Sequence, residues 1–212
     1  MRLLILSLLG MLAIATGPAR AEADLERGKG LYATCAACHG ADAAGNAALN
    51  APRLNHLREV YVIAQLEKFR NGQRGGEGAT MAAKQMAPMA ATLPDQQALL
   101  DVAAYIASLD SPAPAATVEG DAALGADYYN QFCGACHGPT AAGNVALNSP
   151  GLAGTDDWYL LAQLKAFRDG SRGAVDGDRT GRQMRAMAAV LPSEQALKDV
   201  VAFIHGQASG SQ

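Results

Sequence analysis

Large rings are scarce in this chain, with one Trp, six Tyr and four Phe among 212 residues. Side chains alone would leave its cores thin. No segment sustains the polar–apolar alternation of a half-buried strand, which argues against a β-rich fold. Basic residues are in no excess: 17 Lys and Arg stand against 20 Asp and Glu, with no basic stripe. A nucleic-acid binder would show one. Long apolar runs are also missing. The longest, Leu3 to Ala15, falls short of the roughly 20 residues needed to cross a bilayer. Preceded by Arg2 and followed by Ala19-Arg20-Ala21, it reads as a secretory signal at 1–21, cleaved after Ala21. The mature chain would then carry 15 basic and 20 acidic residues, a net of −5. Such a balance suits a soluble exported protein that docks transiently through patches of charge.

Cysteine is scarce too, and its placement is informative. All four residues fall in two pentads, Cys35-Ala36-Ala37-Cys38-His39 and Cys133-Gly134-Ala135-Cys136-His137, 98 positions apart. C-x-x-C-H is the attachment signature of c-type haem. Two cysteines on one helical turn can each bond a haem vinyl group, and the histidine is carried under the iron as proximal ligand. Three other readings compete. A redox dithiol needs a thioredoxin-like βαβ context, which this Ala-rich chain lacks. A Cys₄ zinc site usually spaces its pairs roughly 15–20 residues apart and leaves both histidines unexplained. Plain disulfides are open to an exported protein but also ignore the histidines. Two covalently bound haem c groups are therefore expected. Each is a large flat apolar body that can fill a core short of aromatics.

The 98-residue register extends beyond the pentads. Gly45-Asn46, Pro52 and Leu54 return as Gly143-Asn144, Pro150 and Leu152; Ala64-Gln65-Leu66 and Phe69-Arg70 return as Ala162-Gln163-Leu164 and Phe167-Arg168. Gln85-Met86, Met89 and Leu93-Pro94 return as Gln183-Met184, Met187 and Leu191-Pro192. Two long copies mean two tandem domains rather than a solenoid. They are expected at 22–110 and 121–212. The Pro-rich connector at 111–120 is stiff and short enough to imply a fixed interface. Each domain reads as three main helices: Leu25 to Cys35 (Ala122 to Cys133), Glu59 to Asn71, and a last helix starting at Pro94 (Pro192). Gly72 and Gly170 are expected to cap the middle helices.

The second axial position has few candidates. His56 and His205 align with Gly154 and Ala107, so neither serves both domains, and each reads as a surface residue. Met86 and Met89 align with Met184 and Met187, in what reads as a loop before the last helix. One member of each pair can ligate through its thioether while the other packs. Spacing alone does not choose between them.

C-x-x-C-H with a downstream Met before a final helix resembles class I cytochrome c. The duplication, together with Tyr61 to Gly72 and Tyr159 to Gly170, resembles the dihaem cytochrome c4 family over nearly the whole mature chain. The resemblance implies an all-α fold of two tandem class I cytochrome c-like domains, each packed around one covalently bound haem. It implies Cys35, Cys38, Cys133 and Cys136 as attachment points. By the family's spacing to Leu93 and Leu191, the iron ligands are His39 with Met86 and His137 with Met184, leaving Met89 and Met187 to pack. It gives the carbonyls of Pro52 and Pro150 the task of accepting a hydrogen bond from each proximal histidine. It also implies a first-to-last helix crossing at Gly28 with Tyr105 and at Ala126 with Phe203.

The implied function is a periplasmic carrier of one electron per haem rather than an enzyme. Its partners would be a quinol-oxidising complex and a terminal oxidase, or a dehydrogenase, with no nucleic acid and at most peripheral membrane association. Two rivals share the same motifs: a dihaem redox enzyme with one labile Met ligand, and the electron-transfer subunit of a dehydrogenase such as a flavocytochrome sulfide oxidiser. One asymmetry stands out. Arg179, Arg182 and Arg185 surround Met184, where the first copy has Met81, Lys84 and Ala87. A solvated loop, pairing with haem propionates, or docking of an acidic partner would each account for it.

Overall fold

The computed structural model of the chain describes residues 22–207, so the expected signal segment lies outside the described residues. The first domain contains α1 (Leu25–His39), α2 (Glu59–Arg70), α3 (Met81–Ala91) and α4 (Gln96–Ser108). The second contains α5 (Ala122–Phe132), α6 (Gly134–His137), α7 (Asp157–Asp169), α8 (Arg179–Ala189) and α9 (Glu194–Gln207). The described residues hold no strand beyond two isolated bridges, Asn46 with Ala51 and Asn144 with Ser149. None of the described helices is long and apolar enough to cross a membrane.

Each domain is organised by its first helix crossing its last. Asp24 and Asp95 cap α1 and α4 by accepting hydrogen bonds from the amides of Arg27 and Ala98. Leu99, Val102 and Ile106 follow the 3–4 spacing of one helical face, and all three are buried. At the crossing, a Cβ on Gly28 would lie 2.1 Å from the Asp101 carbonyl oxygen, so only glycine lets the two backbones approach. Tyr32 packs on Tyr105 there, with ring centroids 5.5 Å apart.

In the second domain the crossing glycine is Gly125, not the expected Ala126. Its Cβ would lie 1.9 Å from the Asp199 carbonyl oxygen, and Tyr129 packs on Phe203 at 5.0 Å. The cause is one extra residue. Tyr32 precedes Cys35 by three positions, while Tyr129 precedes Cys133 by four. The register is therefore 97 before the pentad and 98 after it. A continuous helix cannot absorb the insertion and keep both faces, so it breaks at Cys133 and restarts as α6.

Three further expectations change. The methionines stand on helices, not loops: Thr80 caps α3 through the Ala83 amide and Asp178 caps α8 through the Gly181 amide. Pro88 inside α3 and the Gly-rich approach to α8 hid these elements. Pro94 precedes the cap Asp95 rather than occupying the first turn of α4. Gly170 caps α7 at φ 85°, but in the first domain the cap of α2 is Asn71 and Gly72 follows at φ 77°.

The domains are tied together through polar groups. Arg53 donates its backbone amide to Asp156 Oδ2 at 2.7 Å, and its guanidinium binds the carbonyls of Ser111 and Pro112. Asp157 holds the far end of the connector through the Thr117 and Val118 amides, at 2.5 and 2.7 Å. Lys68 bridges to Asp178 at 2.6 Å.

His56 is not a surface residue: its Nε2 contacts Thr155 Oγ1 at 2.8 Å and its Nδ1 is enclosed without a partner. Burial, with the Arg53 charge adding to it, pushes His56 down to about 3. The neutral ring therefore contributes stability that is complete above the unfolded value of about 6.5 and lost as pH falls toward the folded value. The limiting slope is about 1.4 kcal/mol per pH unit. Melting curves across this window are expected to flatten in a His56→Gln variant. An unchanged slope would refute the assignment.

Candidate cofactor sites

The last turn of α1 carries Cys35 and Cys38 and ends on His39, where Gly40 at φ 82° turns the chain away. The Tyr32 hydroxyl donates to the Gly40 carbonyl at 2.8 Å and fixes that end. The loop then folds back. Gly45 N donates to the His39 carbonyl, and the Asn46 side chain caps a 3₁₀ turn (Ala47–Leu49) through the Ala48 amide. Asn46 and Ala51 exchange backbone hydrogen bonds that close the loop and bring Pro52 onto His39. Gly45 sits at φ 84°, and a Cβ there would lie 2.7 Å from the Pro52 carbonyl carbon. Glycine is thus what lets the proline carbonyl reach the ring.

His39 Nδ1 lies 2.8 Å from the Pro52 carbonyl oxygen, and His137 Nδ1 lies 2.9 Å from that of Pro150. A carbonyl only accepts, so Nδ1 carries the proton in both rings and Nε2 is left with a free lone pair. Both rings are buried. Burial holds each below the usual histidine range, against an opposing pull from the proline carbonyl, so both are neutral and fit to ligate a metal. A carbonyl at Nδ1 also fixes ring orientation and raises ligand basicity.

In the first domain these residues line a cavity of about 180 Å3, together with Met86 and Met89 of α3. Arg74 also lines it, as do Tyr159 and Gln163 of the second domain, so the cavity reaches the interface. Met86 packs against the core beside Ala83 and Ala87, on the α3 face that buries Ala90. Met89 lies roughly 100° round the helix from that face. It is 37% exposed, and Met187 is 39% exposed. The packing role implied for these two is therefore not a core role. Met184 is half-buried on α8. All four thiols are free, and the described residues contain no cluster of three or more Cys, His, Asp or Glu placed to hold a metal ion, as a Cys₄ zinc site would need.

Other residues here were not singled out in the sequence. Arg74 and Arg172 repeat in register, just beyond the Tyr61–Gly72 and Tyr159–Gly170 segments, and both reach into the interface. Buried Asp101 and Asp199 also repeat in register, each holding the amide that opens its domain's first helix. Among the basic residues around Met184, Arg182 approaches Asp176 at 3.8 Å and Arg185 lies over Gly170.

Free paired thiols, a neutral histidine with Nε2 available, an apolar cavity and a polar atom orphaned at its edge (Arg74 Nε) fit haem c. Two such sites on two tandem helical domains define a c-type cytochrome. It carries two covalent haem c groups, at Cys35/Cys38 and Cys133/Cys136. The cytochrome c family model matches residues 25–110 and again 122–208. The chain is 39% identical to cytochrome c4 of Stutzerimonas stutzeri over 217 residues, covering 97% of this chain and 100% of the relative. It is 38% identical over 164 residues to the thiosulfate dehydrogenase electron acceptor of S. stutzeri strain A1501, covering 73% of this chain and 72% of that one. The crystal structure of reduced recombinant cytochrome c4 from Pseudomonas stutzeri superposes with a TM-score of 0.65 at 30% identity, over 87% of this chain and 99% of that one. The chain belongs to the dihaem cytochrome c4 family. It is a dihaem electron-transfer cytochrome that works with other redox proteins.

Proposed function

We propose that this protein is a periplasmic electron carrier, its iron atoms ligated by His39 with Met86 and His137 with Met184. The observation that carries this reading is the doubled His–Pro carbonyl contact, which leaves Nε2 free in both domains, with a methionine-bearing helix beside each site. Bound haem c supplies one-electron chemistry at iron, and a thioether opposite imidazole raises its potential. The chain's own residues orient the ring (Pro52, Pro150), exclude water through the apolar walls of α2 and α4, and fix the two domains against each other. No acid–base group beyond the ligands is needed for outer-sphere transfer, so we assign no catalytic residue. Residues 111–120 serve as connector between domains at 22–110 and 121–212, behind a signal cleaved after Ala21.

A quinol-oxidising complex or a dehydrogenase as donor and a terminal oxidase as acceptor fit this reading. The likeness to a thiosulfate dehydrogenase electron acceptor favours a dehydrogenase on one side. The oxidised protein is expected to show a methionine-to-iron charge-transfer band from both haems. Met86→Ala and Met184→Ala are each expected to remove about half of it and lower one potential, while Met89→Ala and Met187→Ala leave it intact. A high-spin haem in the wild type would instead favour an enzyme with a labile ligand.

A further inference from the structure

Between the domains lies a closed set of polar groups built around two arginines. Arg74 donates to Gln65 Oε1 at 2.9 Å within its own domain, and across the interface to Tyr159 OH at 2.7 Å and Gln163 Oε1 at 3.2 Å. Arg172 mirrors it, donating to Gln163 Oε1 at 2.6 Å, then across to Gln65 Oε1 at 2.8 Å and Tyr61 OH at 3.3 Å. Each guanidinium also lies over a ring of its own domain, Phe69 or Phe167, at 4.5 Å. The acceptors are all neutral. No carboxylate among the described residues bonds to either arginine, and Asp178, whose field favours Arg172, is taken up by Lys68.

Guanidinium groups stay charged at any ordinary pH. Two like charges sharing neutral acceptors between packed domains are a poor adhesive, since partly desolvated charge is costly without a counter-ion. If adhesion were the whole task, neutral side chains would serve better. The set is also incomplete on one side: Arg74 Nε is enclosed without a partner, and Arg74 with both of its cross-domain acceptors lines the cavity that holds Cys35, His39 and Met86.

We propose that Arg74 and Arg172 form a crossed cationic clamp that receives carboxylate side chains of both haem groups at the domain interface. This rests on the dihaem reading above. An Arg fork suits a carboxylate, and the unpaired Nε gives Arg74 a donor to spare. Positive charge held near iron opposes its oxidation, because the oxidised centre carries one more positive charge. The clamp therefore raises both potentials. Because each arginine is anchored by the other domain's Tyr and Gln, removing one disturbs both centres. Arg74 and Arg172 are positioning residues: they act on iron through the groups they hold.

The test is a haem-resolved redox titration of the holoprotein. Arg74→Gln and Arg172→Gln are each expected to lower both midpoint potentials, changing the reduced-to-oxidised ratio at fixed potential at least threefold, or about 30 mV for one electron. Arg74→Lys keeps the charge and is expected to retain most of the potential. If both Gln variants melt earlier with both potentials unchanged, the arginines only join the domains and the proposal fails. A response confined to the haem of the mutated domain overturns the crossed arrangement. Should the Gln variants not accumulate, the wild type decides: with ¹⁵N-guanidinium arginine, the infrared difference between oxidised and reduced protein is expected to contain shifted arginine bands, and their absence overturns the clamp. Failure of the ligand assignment would show separately, as loss of the methionine charge-transfer band in the unmutated protein.

Discussion

Gly125→Ala is expected to destabilise the second domain by about 3 kcal/mol, on the order of 15 °C in the melting temperature of a domain this size. Two effects oppose each other. Alanine gains up to about 1 kcal/mol over glycine in a helix interior. Against that, the new Cβ would stand 1.9 Å from the Asp199 carbonyl oxygen and 2.4 Å from its carbon. Both atoms are backbone of α9, so no side chain can swing aside and the helices themselves must part. Parting them opens the contact of Tyr129 with Phe203, and Tyr129 also fixes the helix end through the Gly138 carbonyl. The clash wins. Gly28→Ala is expected to do the same to the first domain, with its Cβ 2.1 Å from the Asp101 carbonyl oxygen. Calorimetry of the holoprotein, with Ala126→Val as control, measures this directly. A larger loss from Ala126→Val than from Gly125→Ala would restore the 98-residue register to α5 and remove the insertion.

Asp101→Ala is expected to cost about 3 kcal/mol, the low end for breaking a buried charged pair. The Asp101 side chain is fully buried, and its Oδ1 accepts from the Asp24 amide at 2.9 Å and Gln97 Nε2 at 2.7 Å. Its Oδ2 accepts from Arg27 Nη1 at 2.8 Å. Arg27 is 36% exposed and can rehydrate, which limits the loss. The Asp24 amide cannot move away, because it opens α1. Asp199→Ala is expected to cost less, about 1–3 kcal/mol, as Asp199 holds the Asp121 amide and Gln195 with no arginine reaching it.

Protonation of Asp101 follows the same contacts. Burial favours the neutral acid, but the hydrogen bonds from Asp24, Gln97 and Arg27 outweigh it and hold the carboxyl below its ordinary value. Its contribution is thus complete above the unfolded value of about 3.9 and lost as pH falls through the lower folded one. Asp101→Ala removes that acid dependence from the first domain. Equal losses from Asp101→Ala and Asp199→Ala would show that the arginine contributes nothing.

The residues that carry the chemistry were legible because their signal is local. Cys35, Cys38 and His39 fall on adjacent helical positions, so one turn of α1 presents them together whatever the rest of the chain does. The Asn46–Pro52 loop was legible as a repeat, and its hydrogen bonds are nearly all made within eight residues. The helices carrying Met86 and Met184 were not, since Pro88 and Gly181 obscure the pattern that tertiary packing overrides. His56 could not be placed at all from one copy. Its counterpart is Gly154, and the two meet because glycine leaves room for the His56 Cβ at 3.5 Å.

The sequence by itself determined two haem attachment sites, two helical domains and the pairing of equivalent residues, because a gene duplication and short-range spacing are both written along the chain. Only the tertiary structure decided that the first-helix register slips by one, that Gly125 rather than Ala126 lies at the crossing, and that Arg74 and Arg172 face each other across the domains. Those facts depend on how closely two backbones approach and on which charges are shut away from water. Both are set by groups roughly a hundred residues apart, at distances no spacing rule reports.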